Sequence, residues 1–221
     1  MLRLFLFFCF IATSIFAKQP IFVGIAGGTG AGKTTLAKKI HEAFPNAVLI
    51  SQDSYYKDCS DLSFEERDNL NFDHLDSLEF SLLREHLTHL KNGLAIEEPV
   101  YNFHTHSREK TSKWIEPSNI VLVEGILLLA APEVRDLFDI TIFVEAEDDV
   151  RILRRIERDM KERSRDFNSV KAQYLETVKP MHDLFVAPSK KYANIIVPGN
   201  ECNQAAIDFI LASLRDGESQ F

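Results

Sequence analysis

The sequence predicts an α/β fold in which a parallel sheet is flanked by helices. Two observations predict it. From Ile21 onward, continuous apolar runs alternate with segments of helical periodicity, which is typical of parallel strands that are buried on both faces. The first apolar run also leads directly into a glycine-rich turn and then into a helix. We expect a small β-hairpin excursion and an arginine-rich helical lid to be added to this core.

Each element follows from a local pattern. The strands are predicted at the apolar runs 21–26, 48–51, 120–123, 140–144 and 195–197. Helices are predicted at 32–43 and 204–214. A further helix is expected to open on a capping box from Asp76 to Glu79 and to close at Asn92-Gly93. Short alternating segments at 94–116 predict the hairpin.

The composition is that of one globular unit. The chain has 221 residues, of which 45% are hydrophobic and 26% charged, and three cysteines without a CxxC pair. The cysteines therefore predict neither a disulfide framework nor a zinc site. A net charge of −8 argues against a protein that coats nucleic acid, because there is no overall basic field.

The first residues read as a hydrophobic leader. Residues 1–17 have one early arginine, an apolar run and then small and polar residues before Lys18, which outlines a secretory signal peptide and is too short for a comfortable membrane span. Three interpretations stay open: a signal or anchor, a start codon assigned too early, and a short apolar helix on the domain. We therefore separate a leader at 1–18 from a domain at 19–221, which we expect in the cytoplasm. Membrane contact is expected only if the leader is an anchor.

The glycine-rich turn is the strongest functional signal. It runs from Gly27 to Thr34 and fits the pattern G-x-x-x-x-G-K-[ST] between a strand and a helix. Its backbone N–H groups and the helix N-terminus would hold phosphates, Lys33 would reach the β- and γ-phosphates, and Thr34 could ligate Mg²⁺. This predicts a P-loop NTPase fold. The nucleotide-binding set is Gly27, Gly28, Thr29, Gly30, Ala31, Gly32, Lys33, Thr34 and Thr35.

Two acidic residues follow strands that lead to the same edge of the sheet. Glu124 directly follows the apolar run at 120–123 and is a candidate Mg²⁺ ligand together with Thr34. Asp53 follows the second strand and could accept the proton of a substrate hydroxyl. An N-cap or turn role for Asp53 is the alternative.

An arginine cluster lies on the predicted helix near residue 155. Arg151, Arg154, Arg155 and Arg158 share one arc of this helix, opposite an apolar side. The arc predicts a lid over the transferring phosphoryl group. The alternative is a solvated face on which acidic residues, among them Asp159, pair with the arginines.

Residues 104–106 read His-Thr-His. On a strand, alternation would place both imidazoles on one face, but no third ligand has suitable spacing. Tyr101, Phe103 and His106 therefore fit better as an aromatic wall with one polar tip, suited to a flat base.

Several strings together resemble the uridine kinase (uridine–cytidine kinase) family, in order from Ile21 to Gly199. The resemblance is carried by the strings at 24–28, 51–56, 71–74, 99–103, 106–108, 123–127, 179–182 and 188–193. The chain departs from the family pattern at Leu75, where the family has proline, and at Ser164, where it has glycine. The family also lacks a hydrophobic leader.

The resemblance implies roles for individual residues. Asp53 would be the general base and Lys33 the catalytic cation. Arg158 and Arg163 would reach the phosphates from the lid. The nucleoside would be bound by Phe72, Asp73, Tyr101, Phe103, His106, Arg155, Arg165 and Gln173. The co-substrate would be ATP or GTP with Mg²⁺, and the assembly a homotetramer.

Two other functions remain open. One is a sister kinase of small molecules, resembling phosphoribulokinase or pantothenate kinase, although the aromatic set suits a base better. The other is a membrane-tethered nucleotide switch, which would need neither Asp53 nor Asp73.

Overall fold

The computed structural model describes residues 19–199 and 203–220, with the side chains of 217–220 left out. The predicted leader lies outside the described residues. Within the described ranges no helix is both long enough and apolar enough to cross a bilayer.

The central sheet is parallel and has the strand order β2-β5-β1-β6-β7. All five strands predicted from apolar runs belong to it, which confirms the predicted fold class. The described strands are β1 (Ile21–Gly27), β2 (Val48–Ser51), β3 (Ile96–Asn102), β4 (Ser107–Ile115), β5 (Ile120–Glu124), β6 (Ile140–Glu145) and β7 (Ile195–Pro198).

Helices cover both faces of the sheet. Phe22 and Val121 belong to the apolar cluster on one face, and Val23 and Leu122 to the cluster on the other, as strand alternation requires. Both clusters are buried, which explains why these strands read as continuous apolar runs. The described α-helices are α1 (Lys33–Ala43), α2 (Phe64–Asp68), α3 (Phe80–Lys91), α4 (Pro132–Arg135), α5 (Asp148–Glu162), α6 (Phe167–Gln173), α7 (Lys179–Met181), α8 (Ala187–Ser189) and α9 (Gln204–Gln220).

The predicted capping box at Asp76 is wrong. Helix α3 begins only at Phe80, its N-cap residue is Glu79 without a side-chain cap, and residues Leu75–Ser77 form a 3₁₀ turn. A capping box does occur at Ser63, which caps α2 together with Glu66. Asn92 closes α3 as predicted.

The hairpin at 94–116 is confirmed as the antiparallel pair β3 and β4. The His-Thr-His segment does not continue a strand, however, but forms the turn between them. His104 is exposed there, whereas His106 is buried and has a φ of 51°. Among the described residues no cluster of His, Cys, Asp and Glu could hold a metal.

The segment after α5 is one long helical stretch with two π-helical turns. These turns, Tyr174–Val178 and His182–Val186, lie on either side of α7, which contains Pro180. Helix α9 then packs on α1 and extends beyond the predicted end at residue 214.

Candidate active site

The carboxyl ends of β1, β2 and β5 meet at one edge of the sheet. Ser51 and Ile25 are each paired in register with Glu124. The glycine-rich turn leaves β1 at this edge, and Asp53 leaves β2. This edge is where open α/β sheets bind their ligands.

The turn delivers Lys33 to the edge. Gly32 caps α1 with a φ of 101°, a left-handed conformation that favours glycine. The Lys33 side chain is buried, and its Nζ donates to the Gly28 carbonyl at 3.2 Å. Burial lowers the pKa of Lys33, while Glu124 and Asp53 nearby act in the opposite direction.

Three oxygen-bearing side chains converge at the end of β5. The Thr34 Oγ1 and Ser51 Oγ hydroxyls each donate to Glu124 Oε1 at 3.3 Å. Burial raises the pKa of Glu124, and Lys33 opposes that shift. Hydroxyl and carboxylate oxygens are hard donors of the kind that Mg²⁺ accepts.

Asp53 is not the N-cap of its turn. The cap of the 3₁₀ turn Gln52–Tyr55 is Ser51, whose Oγ accepts from the Asp53 N–H at 3.3 Å. The Asp53 carboxylate instead lines the central pocket with Lys33 and Glu124. The N-cap alternative for Asp53 is therefore wrong, whereas its position within the 3₁₀ turn agrees with the turn alternative.

The central pocket extends from this edge to the hairpin. It is lined by Thr29, Lys33, Thr34, Asp53, Tyr56, Phe72, Asp73, Tyr101, Phe103, His106, Glu124, Gly125, Ile126, Arg155, Arg158, Arg163, Arg165 and Gln173. It thus brings together the residues selected from the sequence as substrate-binding, metal-binding and catalytic, together with Arg158 and Arg163. Arg151 and Arg154, which the predicted lid also included, do not line it. Asp73 is buried in it, and this burial raises the pKa of the carboxyl group although Arg155 opposes the shift.

The far end of the pocket is aromatic. The rings of Phe72 and His106 stack with centroids 5.1 Å apart, and the rings of Tyr101 and Phe103 meet edge-on at 5.3 Å. Burial lowers the pKa of His106 and Arg165 adds to this, while Asp68, 3.3 Å from His106 Nε2, opposes it. The wall therefore presents flat apolar faces and one neutral imidazole.

The arginine side of α5 faces the protein. Arg151 and Arg155 are buried, whereas Leu153 and Met160 on the apolar side are exposed. Arg155 and Gln173 are linked by a hydrogen bond of 2.8 Å, and Arg165 donates to the same Gln173 oxygen.

One carboxylate organises the lid arginines. Asp159 is fully buried, accepts from Arg158 at 2.8 and 2.9 Å, and lies within 3.6 Å of Arg155 and Arg163. The sequence alternative was a solvated helix face on which acidic residues pair with the arginines. The pairing of Asp159 with arginines agrees with this alternative, but its burial does not. The Arg163 guanidinium also lies 4.4 Å over the Phe103 ring. Ser164 follows with a φ of 55°, in the region that glycine adopts most easily.

A second cavity lies on the other side of the glycine-rich turn. Gly32, Thr35, Arg154 and Gly199 line it, with apolar side chains from α1, β7 and α9. Arg154 Nη1 donates to the Gly199 carbonyl at 2.8 Å. Gly27, Gly28, Gly30 and Ala31 line neither the central pocket nor this cavity.

Comparison with known proteins agrees with this geometry. A family model described as phosphoribulokinase / uridine kinase matches residues 22–206. The chain belongs to this family. It is 50% identical over 200 residues to a uridine kinase of Alkaliphilus metalliredigens, a match that covers 90% of the chain and 96% of the relative.

Two further matches extend this result. A uridine kinase of Clostridium perfringens is 49% identical over 90% of the chain and 97% of its own length. Phosphoribulokinase from Rhodobacter spheroides shares the fold, with a TM-score of 0.56 at 14% identity over 82% of the chain and 71% of its own length. The chain is thus an enzyme, a kinase that uses a nucleoside triphosphate.

The structure adds residues to the site of this phosphoribulokinase / uridine kinase family member that sequence analysis missed. Tyr56, Gly125 and Ile126 line the central pocket. Tyr56 could have been selected from the sequence, because it stands in the same string as Asp53. In the structure its ring lies 5.0 Å from that of Tyr101. No local signal distinguishes the buried Asp159 from its exposed acidic neighbours.

Proposed function

We propose that the chain transfers the γ-phosphoryl group of ATP or GTP to the 5′-hydroxyl of uridine or cytidine, giving UMP or CMP. One observation carries the proposal. Asp53 and Asp73 line a single pocket that has the phosphate-binding residues at one end and an aromatic wall at the other. The two relatives named above are uridine kinases, and the chain matches each of them over nearly its whole length. This supports the same acceptor.

In this proposal each region of the pocket has one task. Tyr101, Phe103 and His106 would enclose the pyrimidine, and Asp73, with Arg155, Arg165 and Gln173 near it, would hold the ribose hydroxyls. This leaves the 5′-hydroxyl beside Asp53, which would orient it and accept its proton. Lys33, Arg158 and Arg163 would offset the charge of a loose phosphoryl-transfer transition state.

Thr34 and Glu124 are the residues that would hold Mg²⁺. They fit, because Thr34 Oγ1 and Ser51 Oγ both lie 3.3 Å from Glu124 Oε1, and Mg²⁺ on nucleotides takes few protein ligands besides phosphates and water. When bound, the ion would neutralise charge on the triphosphate. The second cavity, with Thr35 and Arg154, is suited to the purine of the donor.

The acceptor can be decided by a direct assay. Uridine, cytidine, ribulose 5-phosphate and pantothenate are offered separately with ATP, and release of ADP is measured. We expect turnover with uridine or cytidine and background rates with the other two. Turnover with only ribulose 5-phosphate or pantothenate would indicate a sister kinase, and no turnover with any acceptor would favour a nucleotide switch.

Asp73→Asn is expected to act mainly on nucleoside binding. Hydrogen bonds to a charged group contribute roughly 1.5–3 kcal/mol each, so the nucleoside KM should rise at least about tenfold. The ATP KM should stay nearly unchanged. Steady-state kinetics with each substrate varied in turn measures both.

Asp76→Asn is the matched control for Asp73→Asn. Asp76 is exposed and lies outside the central pocket, so this change should leave both KM values unaltered. An unchanged nucleoside KM in Asp73→Asn would contradict the ribose assignment.

The resemblance also implies a homotetramer, and we expect a homo-oligomer in solution. Sedimentation velocity on the purified chain would measure the assembly.

A further inference from the structure

Arg151 is a buried arginine that the proposed chemistry does not use. It belongs to the arginine arc of α5, yet it does not line the central pocket. Its guanidinium lies behind the phosphate-binding turn, where Nη1 donates to the Thr29 carbonyl at 3.4 Å. Only 3% of the residue is exposed, so this cation supports the turn from the protein side.

Two side chains fix this guanidinium. Arg151 Nη2 donates to Asp148 Oδ1 at 2.6 Å and lies 3.1 Å from His182 Nε2. Arginine can only donate, so Nε2 must be the acceptor and His182 must be neutral. Burial lowers the pKa of His182 to about 4 and Arg151 adds to the shift, while Asp148 and Asp183 oppose it. The imidazole is therefore neutral at physiological pH.

Gly28 is in direct contact with this pair. A Cβ at residue 28 would lie 2.2 Å from Arg151 Nη1 and 3.0 Å from His182 Cε1. The φ of Gly28 is not in the left-handed region, so its backbone conformation does not require glycine. Space for the guanidinium requires it, because Arg151 is held by Asp148 and His182 and cannot move aside freely.

We propose that Arg151 and His182 are positioning residues for the phosphate-binding turn, and that Gly28 is glycine in order to admit the Arg151 guanidinium. The pair joins three separate parts of the chain: the turn after β1, helix α5 and the π-helical turn at His182. It fixes the backbone whose N–H groups would bind the triphosphate. The inference rests on the proposed function only in that the turn binds the nucleoside triphosphate.

A compensating double substitution tests the inference. Gly28→Ala should displace Arg151 and disturb the turn, raising the ATP KM at least about tenfold, since small misplacements of positioning groups have large kinetic effects. Arg151→Ser alone should raise it less, by roughly threefold, because the turn keeps its own hydrogen bonds. In Gly28→Ala/Arg151→Ser the added methyl group meets no guanidinium, so the ATP KM should return to near that of Arg151→Ser.

Other readouts separate positioning from general destabilisation. The nucleoside KM should remain within about twofold of the wild-type value in all three variants, because Asp73 and the aromatic wall are untouched. Thermal unfolding of each variant shows whether it is folded. If the two substitutions multiply in their effect on the ATP KM, residues 28 and 151 act independently and the inference is overturned.

His182 has its own pair of variants. His182→Gln retains an acceptor for Arg151 Nη2, whereas His182→Leu has similar size and no acceptor. We expect the ATP KM to rise roughly threefold to tenfold in the leucine variant and to stay near the wild-type value in the glutamine variant, since leucine leaves a buried donor without this partner. Equal ATP KM values for the two folded variants would refute the role of His182.

Assays of the wild-type chain distinguish failure of the proposed function from failure of the inference on Arg151 and His182. If it transfers no phosphate to any acceptor, the proposed function fails, and the same variants are then compared by calorimetric titration with ATP. If it is active and the double variant shows no compensation, only the inference on Arg151 and His182 fails.

Discussion

Replacing Asp53 with asparagine is expected to lower kcat by about 10²–10⁴, the usual cost of removing a general base. Asp53 lines the central pocket with Lys33 and Glu124, at the end where the glycine-rich turn lies. Asparagine has the same shape but cannot accept the proton of the reacting hydroxyl. Since the groups that bind the nucleoside and ATP are otherwise unchanged, the KM values for both substrates should change only modestly.

The control for this variant is Asp58→Asn. Asp58 is exposed, follows Asp53 closely in the chain and does not line the pocket, so kcat should stay at the wild-type value. Near-normal kcat in Asp53→Asn, together with a large loss of kcat in Asp73→Asn, would show that the two aspartates have the opposite roles.

Replacing Lys33 with alanine should abolish phosphoryl transfer while leaving the fold intact. Lys33 is the buried cation of the glycine-rich turn, between the Gly28 carbonyl and the acidic pair Glu124 and Asp53. Electrostatic groups that act on developing charge typically contribute on the order of 10²–10³ in kcat. We expect a loss of at least this size, measured as initial rates of ADP release at saturating nucleoside.

Lys38→Ala is the matched control for Lys33→Ala. Lys38 lies on the same helix but is exposed to solvent, so the rate should be unaffected. Thermal unfolding of both variants tests whether the fold is retained. More than about a tenth of wild-type turnover in a folded Lys33→Ala variant would contradict the role of Lys33 as the phosphate clamp.

Much of the fold was predictable because its strands carry a strong signal. The runs at 21–26 and 120–123 are buried on both faces of the sheet, and burial on both faces leaves a continuous apolar run in the sequence. The N-terminus of α3 was not predictable in the same way. Asp76 and Glu79 have the spacing of a capping box, but the His74 side chain caps residues 75–77 as a 3₁₀ turn. The Ser77 carbonyl and the Glu79 N–H are bonded to the backbone of Lys57 and Tyr55 instead.

The site residues that belong to a recognisable sequence motif were predictable. Glu124 ends β5, and the turn that leads to Lys33 leaves β1, so the topology of a parallel sheet brings them to one edge. The contacts among the lid arginines were not predictable, because they depend on how helix α5 is rotated about its axis. Arg151 was predicted as part of the lid, and Asp159 entered only the alternative of a solvated face, yet the arginine side faces inward and both residues are buried.

We propose above that this pocket directs phosphate to the 5′-oxygen of a pyrimidine nucleoside. The most direct test of this proposal is to incubate the full chain with ATP, Mg²⁺ and uridine and to analyse the product by phosphorus NMR and chromatography. We expect one ADP for each UMP formed, with the phosphate on the 5′-oxygen. Phosphate on a 2′- or 3′-oxygen, or release of ADP without a phosphorylated nucleoside, would contradict it.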